Sequence, residues 1–275
     1  MSLRINQNAA AFNSYRNLSV NDSAMSKSLE KLSSGFRINR AADDAAGLSI
    51  SEKLRSQIGG FQQASQNAQD GISMLQTGEG ALNETTAILQ RVRDLAVQAA
   101  NGTQDTESRT AANNEVSASL AEIDRIATAT KYGSTSLLSA NATFTFQVGN
   151  SSATSDQISV SVTAMNTGAA ALKLSGLSIN TAANAQAALA SIDYAISTVS
   201  AQRSAFGAVQ NRLQHTVANL GVAVENLSAS ESRIRDVDMA QEMVNFTKNQ
   251  ILSQAGTAML AQANQAPQSV LSLLR

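Results

Sequence analysis

Side chains able to run a reaction are scarce in this 275-residue chain, and badly spaced for one. Its one histidine, His215, sits inside a run of heptad-spaced apolar residues. A lone imidazole there reads as a surface or interhelical group rather than a ligand or base. No His-Glu-x-x-His pair brings two imidazoles onto one helix face, which excludes a helical zinc-hydrolase site. Cysteine is absent, so disulfides, thiolate catalysis and Cys-bound zinc are excluded. Asp43 and Asp44 are adjacent, but neighbours on a helix point apart, and aspartates at a helix start ordinarily cap it. Gly78-Glu79-Gly80 lies inside a helical pattern and is followed by no Lys-Ser/Thr, so it is no phosphate loop. With no base, nucleophile pair, metal set or cofactor cradle, the expectation is a protein that is not an enzyme and carries no cofactor.

Binding classes narrow as well. The formal net charge is −1, from 20 basic and 21 acidic residues, so no basic field gathers nucleic acid by counterion release. No run approaches the ~18 apolar residues of a membrane span. The start, Met1 to Asn8, lacks the apolar core of a secretory signal; a route out of the cell would have to be another one. Alanine and serine alone supply 47 and 36 residues, while aromatics are 4% and charged residues 15%. Such a composition favours long, thin helical packing over a ring-filled globular core.

The elements follow from apolar spacing. Steps of four and three run from Leu54 through Ile58, Phe61, Ser65, Ala68 and Ile72 to Leu75. The phase then slips by one and resumes at Ala81, Thr85, Ile88, Val92, Leu95 and Ala99. A second run from Leu189 to Ile234 has eleven apolar residues at fourteen seam positions. These are narrow seams of the kind coiled coils bury. Each span covers 46 residues, or roughly 68 Å of helix at the usual rise, and the two are expected to pair antiparallel. Val116, Leu120, Ile123 and Ala127 mark a shorter third helix after the Asn101-Gly102-Thr103 turn. Gly78, Gly80, Gly207 and Gly221 would soften the rods at about 1 kcal/mol each relative to alanine.

Between the rods the period changes to two. Thr143–Val148 and Gln157–Val162 alternate polar and apolar, which predicts a β-hairpin. The stretch from Tyr132 to Asn180 is expected to form a small loop-and-hairpin cap at the far end of the rods.

The chain ends carry the strongest functional signal. Between Lys248 and Arg275 lie 26 uncharged residues, and between Arg4 and Arg16 eleven more. Ile5, Phe12, Leu18, Met25, Leu29 and Leu32 near one end, and Ile251, Met259, Leu260, Val270, Leu271, Leu273 and Leu274 near the other, form apolar faces. A lone helix of this kind has nothing to cover its apolar side. Burial among neighbouring chains is expected to resolve that. Pro267, the only proline, is expected to end or bend a helix near Ala266.

Two stretches carry a family resemblance. Leu32-Ser33-Ser34-Gly35-Phe36-Arg37-Ile38-Asn39-Arg40-Ala41-Ala42-Asp43-Asp44-Ala45-Ala46-Gly47-Leu48 resembles the N-terminal signature of bacterial flagellins. Ser232 to Ala240 and the ending Ala261 to Arg275 resemble the C-terminal one. The resemblance covers about residues 1–130 and 185–275. It implies a mainly α fold: a long antiparallel coiled-coil bundle with a small β-hairpin region, plus a terminal helix pair. Residues 1–40 and 236–275 would form an inner filament-core domain, and 41–235 a rod-shaped domain with the cap at about 132–180. Gly35 to Gly47 would be the spoke between them, its Arg37, Arg40, Asp43 and Asp44 pairing between subunits.

As function, the resemblance implies the subunit of an extracellular swimming filament, with a hook–filament junction protein as the alternative. As partners, it implies copies of itself, a flagellar export apparatus, an export chaperone covering the C-terminal segment, and filament cap and junction proteins. It further implies a host innate immune receptor, with Arg91, Leu95 and Glu115 at the matching positions. Heptad packing accounts independently for Leu95.

Overall fold

The computed structural model describes the backbone of residues 8–273 and the side chains of residues 8–265. Five helices dominate. They are α1 (Ala9–Ser34), α2 (Ala45–Ala100), α3 (Thr106–Ala129), α4 (Ala182–Arg235) and α5 (Met239–Leu273). Between α3 and α4 lie two small antiparallel hairpins: β1 (Lys131–Tyr132) with β2 (Thr135–Ser136), and β3 (Ala142–Gln147) with β4 (Gln157–Val162). The chain divides into two compact units. One takes residues up to Ser56 and from Asn226 onward; the other is Gln57–Glu225.

In the second unit, α2 and α4 run antiparallel. Arg93 Nε donates to Asp193 Oδ1 at 2.7 Å and Gln210 Nε2 to Glu79 Oε2 at 3.1 Å, so one helix descends as the other climbs. The seam of α2 is one unbroken heptad: Ala64, Ala68, Gly71, Leu75, Gly78, Leu82, Thr85, Leu89, Val92, Ala96 and Ala99 are all buried. The expected phase slip does not occur. Two seam positions are glycines, which an apolar pattern passes over. Ile72, Ala81 and Ile88, read as seam members, are only half-buried, whereas Leu82 and Leu89 are fully enclosed.

The same displacement occurs on α4. Ile192, Val199, Phe206, Leu213 and Leu220 are buried as expected, but the alternate seam positions are Ala188, Ala195, Gln202 and Val209. Leu189, Ile196, Arg203 and Gln210, one residue further on, are half-buried. At two of the small positions the space goes to a ring from another element: Gly78 lies against Phe206 and Gly71 against Phe146.

Helix α3 packs on this pair through Val116, Ile123 and Ala127. Its N-cap Asp105 accepts from Ser108 N at 2.7 Å, and Arg109 donates to the carbonyls of Ala99 and Asn101, closing the end of α2. The β3–β4 register runs from Ala142 opposite Val162 to Gln147 opposite Gln157. Ile158, Val160 and Val162 face the core. The hairpin lies along the side of the rods rather than at their far end. Asn67 Nδ2 donates to Gln147 O at 3.1 Å and Gln202 Nε2 to Ser161 O at 3.1 Å, far from the end of α2 at Ala100. The β1–β2 turn, carried by Gly133 at φ 60°, had no period to announce it.

In the first unit, α1 and α5 run antiparallel: Asp22 pairs with Ser253 at 3.1 Å, and Leu18 lies over Gly256. Helix α5 continues through Pro267 to Leu273, so the proline does not end it. A proline in a helix removes one backbone bond, and that loss is met here by a side chain, described below.

Candidate functional site

Two features of the first unit carry its functional content: the outward face of the α1–α5 pair and the loop that ties α1 to α2.

The pair is built with its apolar bulk outside. Facing inward are small or polar residues such as Ala11, Ser14, Asn21, Ser28, Asn249, Ser253 and Gly256, all buried or half-buried. Leu18, Met25, Leu32 and Leu260 also lie half-buried at this seam. Pointing away are Phe12, Tyr15, Val20, Leu29, Met239, Met243, Val244, Ile251, Leu252 and Met259; Phe12 is 72% exposed and Val244 and Met259 are each 63%. Of the residues expected to pack a filament core, Phe12, Leu29, Ile251 and Met259 are therefore on the open face. Ile5, Val270, Leu271, Leu273 and Leu274 lie outside the residues whose side chains are described. Met243, Val244, Thr247, Lys248 and Ile251 line a shallow, largely apolar groove of ~400 Å³ along α5. The chain leaves uncovered what a soluble helix pair normally hides.

The loop from Gly35 to Asp44 is closed by bonds within the chain. Gly35, at φ 75°, ends α1 in the left-handed conformation that suits glycine. The next residues then pair with the end of α4. Arg37 N donates to Arg235 O at 2.7 Å, Val237 N donates to Gly35 O at 3.1 Å, and Phe36 bridges Asp236. Arg235 is the centre of this knot. Its guanidinium lies 4.7 Å from the Phe36 ring centre, and its Nη1 is 3.1 Å from Glu52 Oε1 and 3.9 Å from Glu231 Oε1. Sequence reading gave Arg235 no role, although it lies in the Ser232–Ala240 stretch, since its partner Phe36 is distant in the chain.

All four charged spoke candidates have partners inside the chain. Arg40 Nε pairs with Glu30 at 2.9 Å. Arg37 donates to Ile234 O and stands 3.8 Å from Asp44. Asp44 Oδ1 accepts from Gly47 N at 2.8 Å, capping α2. Asp43 Oδ2 accepts from the backbone N–H groups of Arg40 and Asn39. The Arg40 bond, then the Asn39 bond and the nearby Lys27 and Lys31, hold its carboxyl below the ordinary aspartate value of 3.8. Pairing between subunits is not needed to satisfy any of them.

In the second unit, Arg91 and Glu115 form an exposed ion pair at 2.7 Å between α2 and α3, while Leu95 is 4% exposed. The three residues that the resemblance placed at a receptor site thus divide into an exposed pair and a buried leucine. His215 is exposed on α4, in a groove it shares with Asp156 and Arg212. Among the described residues no group of His, Cys, Asp or Glu could hold a metal ion, and no helix is long and apolar enough to cross a membrane.

A long helical chain, its terminal helices paired through small residues and greasy on the outside, is a structural subunit of an assembly. The chain belongs to the bacterial flagellin family: residues 5–143 match the model of the bacterial flagellin N-terminal helical region, and residues 189–274 that of the C-terminal helical region. It is 51% identical to a flagellin of Halalkalibacterium halodurans over 98% of this chain and 99% of that one. It is likewise 51% identical to a flagellin of Bacillus subtilis over 99% and 100%. A solved structure of a putative flagellar hook-associated protein from Vibrio parahaemolyticus shares the fold, with a TM-score of 0.58 at 17% identity, over 70% of this chain and all of that one.

Proposed function

We propose that this chain is the repeating subunit of a bacterial flagellar filament, and that the outward face of α1 and α5 is the surface through which copies join. The observation that carries the reading is the inside-out helix pair. Phe12, Leu29, Val244, Ile251 and Met259 are exposed, while the inner seam mixes serine, asparagine and glycine with Leu18, Met25, Leu32 and Leu260. Burying each of those large side chains between copies is worth about 1.5–3 kcal/mol, which a polymer collects at every subunit. The role is mechanical and involves no catalysis: the assembled rods transmit torque outside the cell. Relatives of half identity along their whole length carry the name flagellin, and none of them favours the junction-protein alternative.

Export through a flagellar channel, a chaperone over the C-terminal segment, and contacts with cap and junction proteins follow from the family reading. The groove along Met243 to Ile251 is a natural chaperone seat. A host receptor meeting the second unit would touch Arg91 and Glu115, with Leu95 acting from beneath by holding α2 in place.

The test is assembly. Val244→Asp with Ile251→Lys places charge on the exposed face without touching the α1–α5 seam. The expected result is unchanged helical content by circular dichroism and at least a tenfold rise in the subunit concentration needed for sedimentable filaments. Filament yield equal to that of the parent would overturn the reading.

A further inference from the structure

Pro267 lies within α5 and has no amide hydrogen. The carbonyl that such a hydrogen would serve belongs to Ala263, four residues earlier. It is not left bare, because Asn8 Nδ2 donates to Ala263 O at 2.7 Å. The other end of the same carboxamide, Oδ1, accepts from Ala11 N at 3.1 Å and caps α1. One side chain therefore begins one helix and repairs another.

Elsewhere the seam between α1 and α5 marks register chiefly where Leu18 lies over Gly256. Ala11, Ser14, Ser28 and Ser253 are small, and at those positions sliding one helix by a turn would exchange small residues for small residues. Isolated polar pairings in such seams are what fix alignment in coiled coils. Asp22 with Ser253 is one such pairing here, but Asp22 is exposed and its carboxylate is open to solvent. We infer that Asn8 and Pro267 form a register pin. The proline opens an acceptor within α5, and only an α1 correctly placed can bring Asn8 to it. The inference rests on the filament reading for its consequence, since register decides which outward residues of α1 stand level with those of α5.

A double-mutant cycle tests it. Asn8→Ser retains a capping hydroxyl but cannot reach Ala263. In the parent it is expected to raise the free-subunit concentration in equilibrium with filaments roughly fivefold. In a Pro267→Ala background the restored amide serves Ala263 from within α5, and Asn8→Ser should then change that concentration less than about twofold. Equal fold-changes in the two backgrounds, or no change in the parent, would overturn the pin. Thermal melting of the unassembled chain by circular dichroism supplies a second reading: a loss in the parent background alone supports the pin, and equal losses refute it. Failure of the parent to polymerise would defeat the filament reading by itself and leave the melting cycle to decide the pin.

Discussion

Phe206 of α4 lies so close to Gly78 of α2 that a β-carbon on the glycine would stand 2.9 Å from the ring's Cε2 atom. Phe206 is 2% exposed, so the ring has nowhere to retreat. The neighbouring seam glycine, Gly71, is related to Phe146 of β3 in the same way, again at 2.9 Å. Gly78→Ala is therefore expected to destabilise the second unit by about 1–3 kcal/mol, despite alanine's better helix propensity. Urea unfolding of the full chain measures this; an unchanged or raised midpoint would contradict the close fit.

Gly207 and Gly221 supply the opposite case. A β-carbon at either meets nothing within 4 Å. Gly207→Ala and Gly221→Ala should each stabilise α4 by about 1 kcal/mol, read as a raised thermal midpoint. If these glycines also lend the rod softness, filaments of the double variant should hold one waveform across changes of pH and salt where the parent switches.

Arg235 should prove more costly to lose than an ordinary surface arginine, which is worth well under 1 kcal/mol in its ion pair. Its side chain is 14% exposed, and it serves Phe36, Glu52 and Glu231 at once. Arg235→Ala is expected to cost about 1–2 kcal/mol, through loss of the stack on Phe36 and of the pairing with the half-buried Glu231, while the exposed Glu52 keeps Arg55. Arg235→Lys should recover part of that, keeping charge but losing the flat face that stacks on Phe36. Equal melting temperatures for the alanine variant and the parent would count against the knot.

Acid should loosen the α1–α2 loop. Folding depresses the Asp43 pKa below 3.8 through backbone hydrogen bonds, so the carboxylate's contribution is fully present above the ordinary aspartate value. It is lost as pH falls through the depressed one. Asp43→Asn should lower the thermal midpoint at neutral pH, and the gap from the parent should close as pH falls through the depressed carboxylate value. A difference between them that stays constant down to acid pH would show that the carboxylate's charge plays no part.

Period was legible in the sequence, while phase was not. The heptad steps located α2 and α4 to within about ten residues at each end, because a repeated apolar seam has no other physical explanation. The seam's members were misassigned where glycine or alanine fills a position by being small: Gly71, Gly78, Ala188 and Ala195. An apolar count rewards Ile72 or Leu189 beside them, yet at Gly78 and Gly71 the rings of Phe206 and Phe146 leave room only for the lesser volume. The same reasoning applies to α1 and α5. Their large residues stood out as a group, but only the structure shows that Leu18, Met25, Leu32 and Leu260 share the inner seam with serine and glycine while Phe12 and Ile251 face away. Arg235 was invisible because its meaning depends on Phe36, Glu52 and Glu231 converging through the fold. Asp44 was readable as a cap from its place before a helical pattern.

The inverted terminal pair also sets a race. Two stray copies that stick face to face at random do so at a rate rising with the square of their number in solution. Orderly addition to a growing tip rises only in proportion to that number. A bacterium that meters these molecules out one at a time thus tilts the contest toward growth, and flooding the same compartment with them would reward clumping.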